Sequence, residues 1–254
     1  MPAAPILSAL SLPPGSLVEQ RVPKKLLIEQ GTPAAGDKRQ VQDGLDELHW
    51  YAALKPSNIG VPAFADSIRE YLEISVLVAT LRPLAKRQRL VELIHRAIPY
   101  PVFLITRQGD AATVSLAHKR WSQGEAGKAV LESTVVTTDP LLTTRPEPVV
   151  VGFLGSLAIS AQPESNLFAL YQGWVARVTA LRAAAITGQF NAVAESAVSH
   201  ETRCAVLADH ARLTTELSAL RTAAAKERQI RRRVDLNLAM RRIESQLQEL
   251  AQRL

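Results

Sequence analysis

Glu70 and Glu73 are the carboxylates best placed for metal chemistry. They stand at the start of an apolar run, with Asp43, Asp46 and Glu47 upstream. A hydrolytic nuclease needs two or three carboxylates converging on Mg²⁺, usually beside a lysine at the end of a strand. The order helix, strands, helix, strand is also that of a restriction-endonuclease core. Yet Ser75 stands two positions after Glu73, where such a site places its lysine. Glu70 and Glu73 are thus catalytic candidates against a plainer assignment, strand capping or ion pairing with Arg69 and Arg82. A degenerate nuclease core without activity fits the same residues.

Other chemistries find less. The histidines at 49, 95, 118, 200 and 210 show no HxH, HxxxH or HExxH spacing, so no metal is expected. Cys204 is the one cysteine, which excludes a disulfide framework and a multi-cysteine zinc site. Its neighbour in sequence is Arg203, and inert packing in a helix is the expectation. Neither a phosphate-binding G-x-x-x-x-G-K-[ST] loop nor a G-x-G-x-x-G turn occurs, so no nucleotide cofactor is called for. No G-x-S-x-G elbow is present.

Basic clusters are the remaining positive signal. Lys24 and Lys25, Lys86 with Arg87 and Arg89, Lys119 and Arg120, and Arg231 to Arg233 are separate in sequence. Such clusters are commonly solvated faces. As binding groups, Lys24, Lys25, Lys119, Arg120, Arg231, Arg232 and Arg233 are the candidates for DNA phosphates. The arginine run is the sharpest, because guanidinium groups on one helical turn suit phosphate geometry. Apart from Trp121 beside Lys119 and Arg120, few aromatics accompany the cations. Salt-sensitive, sequence-tolerant contact is therefore expected rather than base stacking.

The chain has 254 residues, 47% apolar and 21% charged, which excludes a disordered polymer. Thirty Lys and Arg against 24 Asp and Glu give a net charge of +6, permitting an anionic partner without requiring one. The N-terminal stretch is apolar but has no basic start, and Pro2, Pro5, Pro13 and Pro14 interrupt it. Pro148 to Ala161 is too short to span a bilayer and reads as a buried or pocket-lining segment. A cytoplasmic protein without a membrane partner is expected.

These groups must be carried by an α+β architecture. Residues 1–20 read as a Pro-rich arm and 21–138 as a mixed-sheet domain with flanking helices. Residues 139–164 read as a linker and 165–254 as a long helical, coiled-coil region. Within the sheet domain, Lys24 to Gln30 reads as a short helix stopped at Gly31. Val41, Leu45 and Leu48 at helical spacing predict a helix over 37–48. Strands are predicted at 59–64, 71–81, 102–106, 112–117 and 128–137, with a helix at 86–97. Gln108-Gly109-Asp110 marks a hairpin. Prolines at 140, 146 and 148 argue against a regular element there.

The C-terminal third carries two seams, both alternating steps of four and three. Val206, His210, Leu213, Leu217, Leu220 and Ala224 form one; Leu236, Met240, Ile243, Leu247, Leu250 and Leu254 form the other. They do not share a frame, because sevens counted from Leu220 reach Val234. The slip falls at KERQIRRR, residues 226–233. No Gly or Pro occurs after Gly188, so propensity favours a continuous rod of about 75 Å at ~1.5 Å per residue. The competing geometry is a hairpin burying both seams in one chain. Leu213, Leu217, Leu220, Leu236, Met240, Ile243, Leu247 and Leu250 are the predicted oligomerisation residues. A rod must cover its seam by pairing with itself as a homo-oligomer, with the helix at 165–187, or with a partner.

Several local patterns occur together in one order. They are VPKK at 22–25, LDELHW at 45–50 followed by LKP at 54–56, LEI at 72–74, and IPY at 98–100 with VFLI at 102–105. Later come Asn166-Leu167 with Leu170-Tyr171, and QIRRRVDLN at 229–237. In this the chain resembles an uncharacterised bacterial domain-of-unknown-function family over about residues 21–254. That family is commonly encoded in restriction and phage-defence neighbourhoods, beside helicases and adenine DNA methyltransferases. The resemblance implies those enzymes as partners and carries no catalytic residues.

Three functions compete. The leading expectation is a non-catalytic subunit of an anti-phage or restriction-type complex, assembling through its C-terminal helices and contacting DNA phosphates or partner enzymes. The alternatives are a metal-dependent nuclease using Glu70 or Glu73, and a coiled-coil adaptor with no DNA role.

Overall fold

A computed structural model describes residues 2–31, 34–125, 127–143, 146–191 and 197–254. The chain is mixed α/β and divides into two compact units, Met1–Leu181 and Arg182–Leu254.

The first unit is built on a six-stranded sheet. Its strands, in chain order, are β1 (Leu17–Arg21), β2 (Leu45–Leu54), β5 (Ile74–Leu81), β6 (Val102–Gln108), β7 (Ala111–Leu116) and β10 (Val136–Thr137). They lie side by side in that order. Every neighbouring pair is antiparallel except β5 and β6. A parallel pair needs a crossover, and α5 (Arg87–Ala97) supplies it. Two small sheets complete the strands: β3 (Phe64–Ala65) with β4 (Glu70–Tyr71), and β8 (Lys119–Trp121) with β9 (Ala129–Leu131).

One sheet face is covered by α2 (Lys24–Gly31), α3 (Ala35–Gly44) and α5. Leu27, Val41, Leu90 and Ile94 meet Leu48, Leu77, Ala79 and Leu104 in one buried cluster. Arg89 on α5 grips Asp37 on α3 with two hydrogen bonds, Nε to Oδ1 at 2.8 Å and Nη2 to Oδ2 at 2.6 Å. Alternation sends Phe103 to the other face, where its ring meets Trp174 of α7 (Leu167–Thr187) edge-on at 5.1 Å. Beside it the Tyr171 hydroxyl donates to Val102 O and accepts the Ala117 N–H, each at 2.8 Å.

Several expectations are corrected. The helix read over 37–48 stops at Gly44, and β2 begins at Leu45. A bulge between Leu45 and Glu47 slips the alternation, so Leu45 and Leu48 face one core although three residues apart. That slip mimics helical spacing. The strand read at 59–64 is instead α4 (Pro56–Ile59), a loop and β3. The strand read over 128–137 is split into β9 and β10. In the Pro-rich arm, Ala4–Leu10 forms α1 with a proline in its first turn, where no N–H is missed. Pro148 likewise opens α6 (Pro148–Gly155) inside the proposed linker; Thr144 and Arg145 lie outside the described residues. The β6–β7 hairpin matches its prediction: Gln108 pairs with Ala111, and Gly109 takes φ +61°.

The second unit overturns the rod. α8 (Ala197–Lys226) and α9 (Ile230–Ala251) are separated by Glu227 to Gln229 and pack on each other. Val206, Leu213, Leu217, Ile243 and Leu250 are buried together, with Leu220, Met240, Leu247 and Leu254 packed against them. Leu236 is half-buried. Arg221 Nη2 reaches Glu244 Oε1 at 2.9 Å across the pair. The two-residue slip between seams is absorbed by the break. Each buried Leu or Ile contributes about 1.5–3 kcal/mol, against about 0.5–1.5 kcal/mol for each backbone hydrogen bond given up at the turn, so the hairpin wins without Gly or Pro.

Candidate functional site

The structure brings four residues singled out in the sequence to one cleft. Glu70 on β4 and Lys119, Arg120 and Trp121 on β8 line it, joined by Tyr100 from the turn before β6. β8 is held here by its own backbone: the Trp121 N–H donates to Ile68 O at 2.8 Å, and the Glu132 N–H to His118 O at 2.9 Å. A bidentate ion pair braces the same edge, with Arg69 Nε 2.8 Å from Glu132 Oε2 and Nη2 on Oε1. Arg69 holds the Glu132 carboxyl below its usual range. The Arg69 guanidinium lies 5.3 Å from the centre of the Phe168 ring.

Lys119, predicted at a DNA phosphate, is not a surface cation. It is 2% exposed, and its ammonium donates to the main-chain oxygens of His95 and, at 2.7 Å, Ile98. Those carbonyls lie at the C-terminal end of α5, where a cation is favoured by the helix dipole. Burial lowers the Lys119 pKa to about 7. Below it, fully buried His95 bonds Ser115 Oγ at 3.0 Å, and desolvation, with the Lys119 charge adding, lowers its pKa to about 3. Arg120 is half-buried, with Nη1 donating to Trp121 O at 3.0 Å.

Behind β8 runs a polar chain that sequence reading missed. His118 Nε2 is 2.6 Å from Gln172 Oε1, and Nδ1 is 2.6 Å from the Tyr71 hydroxyl. The amide oxygen only accepts, so Nε2 carries the proton and Tyr71 donates to Nδ1. Burial raises the Tyr71 pKa above the phenol range, keeping it a donor. No spacing in the sequence links residues 71, 118 and 172.

The carboxylates do not form one centre. Glu73, 8% exposed, pairs with Lys55 Nζ at 3.2 Å rather than with Arg69 or Arg82. Asp43 pairs with Arg39 and Glu47 with His49, both exposed or partly so. Among the described residues no group of three or more His, Cys, Asp or Glu could hold a metal. Lys24 donates to Gln42 O at 3.3 Å and to Leu45 O, closing the end of α3, while Lys25 pairs with Glu29 at 3.6 Å. Cys204 Sγ lies 3.5 Å from His200 Nε2, a contact its i,i−4 spacing could have revealed.

Arg231, Arg232 and Arg233 are different: all are exposed in the first turn of α9. That turn contains no acidic residue and no side-chain cap. Lys226 and Arg228 stand beside them, exposed, and Glu227 is the carboxylate at the turn, its Oε1 accepting the Gln229 N–H at 2.8 Å. On α9 the seam residues face α8, while Ile230, Val234 and Leu238, at steps of four, are 72%, 49% and 50% exposed. Among the described residues no helix is long and apolar enough to cross a membrane.

No curated protein and no solved structure matches the chain significantly. One family does, over residues 10–247, which covers both compact units almost entirely. The chain therefore belongs to the DUF4391 family, a domain of unknown function.

Proposed function

We propose that the chain is a non-catalytic, cytoplasmic subunit of a bacterial anti-phage or restriction-type complex that contacts DNA phosphates through the turn of its helical hairpin. The observation that carries this reading is the opening of α9, where three exposed arginines occupy a first turn without an acid. Cations at a helix N-terminus oppose the dipole, each at about 0.3–1 kcal/mol. A phosphate backbone reverses that sign, since it meets both the guanidinium groups and the unsatisfied N–H groups.

Assembly then falls to a surface other than the predicted seam. Leu213, Leu217, Ile243 and Leu250 are used within the chain. Ile230, Val234 and Leu238 form an apolar stripe on the far side of α9, bordered by Arg231, Arg241 and Arg242. Self-pairing would set arginine against arginine, so the stripe suits an acid-flanked helix of a helicase or DNA methyltransferase partner.

Fluorescence anisotropy with labelled duplex DNA across a salt series tests the phosphate contact. Joint replacement Arg231→Gln, Arg232→Gln and Arg233→Gln is expected to weaken binding and to flatten the log–log salt slope by about 0.9 for each phosphate no longer neutralised. An unchanged slope leaves the chain a helical adaptor with no DNA role.

A further inference from the structure

The cleft beside β8 brings three kinds of group together. Trp121 and Tyr100 bring aromatic rings, Arg120 and Lys119 bring cations, and Glu70 brings an exposed carboxylate. The volume, about 140 Å³, lies below the ~300–1,000 Å³ of pockets that swallow a drug-sized molecule. A planar base suits it better, with the rest of the ligand at the rim. Lys119 is 2% exposed yet lines the cleft, and its ammonium has three N–H groups. Two are used on His95 O and Ile98 O, which leaves the third for a further acceptor. Arg120 likewise uses Nη1 on Trp121 O and keeps further donors of its fork.

We propose that this cleft binds a nucleotide whose base carries an exocyclic amine, the base against Trp121 and Tyr100, the amine toward Glu70, and the phosphate toward Arg120 and Lys119. Each alternative ligand leaves one group badly matched. A simple inorganic anion ignores both rings and meets the Glu70 charge. An aromatic acid without an amine gives Glu70 nothing to accept. An aromatic amine without an anion leaves both cations unmatched. A nucleotide answers all three, through stacking, a charge-assisted amine contact and a phosphate contact. The same chemistry is presented by a free nucleotide and by an unstacked base at the end of a single strand. The inference is independent of the hairpin turn, since the residues of the two sites are distinct.

Isothermal titration of the full chain with AMP, with purine riboside monophosphate and with a short oligo(dA) tests it. AMP is expected to bind saturably and purine riboside monophosphate, which lacks only the amine, about tenfold more weakly, as befits one missing charge-assisted hydrogen bond. Arg120→Gln is expected to weaken AMP by about the same factor, and Trp121→Leu to weaken it further. Glu70→Gln is expected to narrow the preference for AMP over purine riboside monophosphate. Near-UV circular dichroism checks that each variant keeps its packing. Competition of oligo(dA) with AMP identifies a strand end as the source, and AMP binding without such competition identifies a free nucleotide; either supports the cleft. Failure of AMP to saturate at millimolar concentration, or binding that Arg120→Gln and Trp121→Leu leave unchanged, overturns it. Neither result depends on whether the α9 arginines bind duplex.

Discussion

The Lys119 ammonium sits 2.7 Å from the main-chain oxygen of Ile98, with the oxygen of His95 as its second acceptor. β8 is thereby pinned to the end of the crossover helix by a buried amino group. The carbonyls there have no partner further along the helix, so the lysine closes a gap that glycine or water closes elsewhere. Lys119→Ala should destabilise the protein by about 2–4 kcal/mol, through two abandoned acceptors and a cavity. Urea denaturation measures it, and an unchanged midpoint would show the contact to be dispensable.

The same region predicts a pH dependence. His95 titrates at about 3 in the fold against 6.5 when unfolded, and Lys119 at about 7 against 10.5. In each window the unfolded chain binds more protons, so stability rises with pH. The His95 contribution is complete above 6.5 and is lost as pH falls toward 3; the Lys119 contribution grows from 7 toward 10.5. Denaturation midpoints from pH 4 to pH 9 should climb throughout, and His95→Gln should flatten the acidic limb alone.

At the hairpin, apolar packing outweighs charge. Leu217 is 5% exposed, whereas Arg221 and Glu244 form their ion pair with side chains 62% and 49% exposed. Leu217→Ala should cost about 2–5 kcal/mol and Arg221→Ala under about 1 kcal/mol. Equal effects in thermal melts would contradict the division.

Gly31 offers a test in which propensity and packing disagree. An added Cβ there would stand 2.7 Å from Ala97 Cβ and 3.0 Å from Ala97 Cα, where α2 meets α5. Alanine gains about 1 kcal/mol in helix propensity, yet overpacking against backbone costs about 1–3 kcal/mol. Gly31→Ala should lower the melting temperature; a rise would mean the two helices separate easily.

Much of this molecule was readable from local pattern. The apolar run ending at Leu81, the face of Leu90, Leu93 and Ile94, and the turn at Gly109 each satisfy one short-range rule. Both C-terminal seams are real burial stripes. Local rules failed where a long-range contact set the outcome. Leu45 and Leu48 carry a helical interval because a bulge reset a strand, and nothing nearby in sequence announces a bulge. The hairpin broke a stretch without Gly or Pro because its two seams bury each other, a gain invisible to propensity.

The candidate site divides in the same way. Residue type and spacing marked Arg231 to Arg233 as exposed cations, since charge on a helix turn toward solvent is a local property. Lys119, Arg120 and Trp121 are neighbours in sequence, but the strand that carries them, β8, falls between the strands predicted there. Burial of Lys119, the partnering of Glu73 with Lys55, and the joining of Tyr71, His118 and Gln172 rest on chain segments far apart in sequence. Desolvation and hydrogen-bond partners are set by what folds over a residue, so chemistry of that kind is written in the packing of the whole chain.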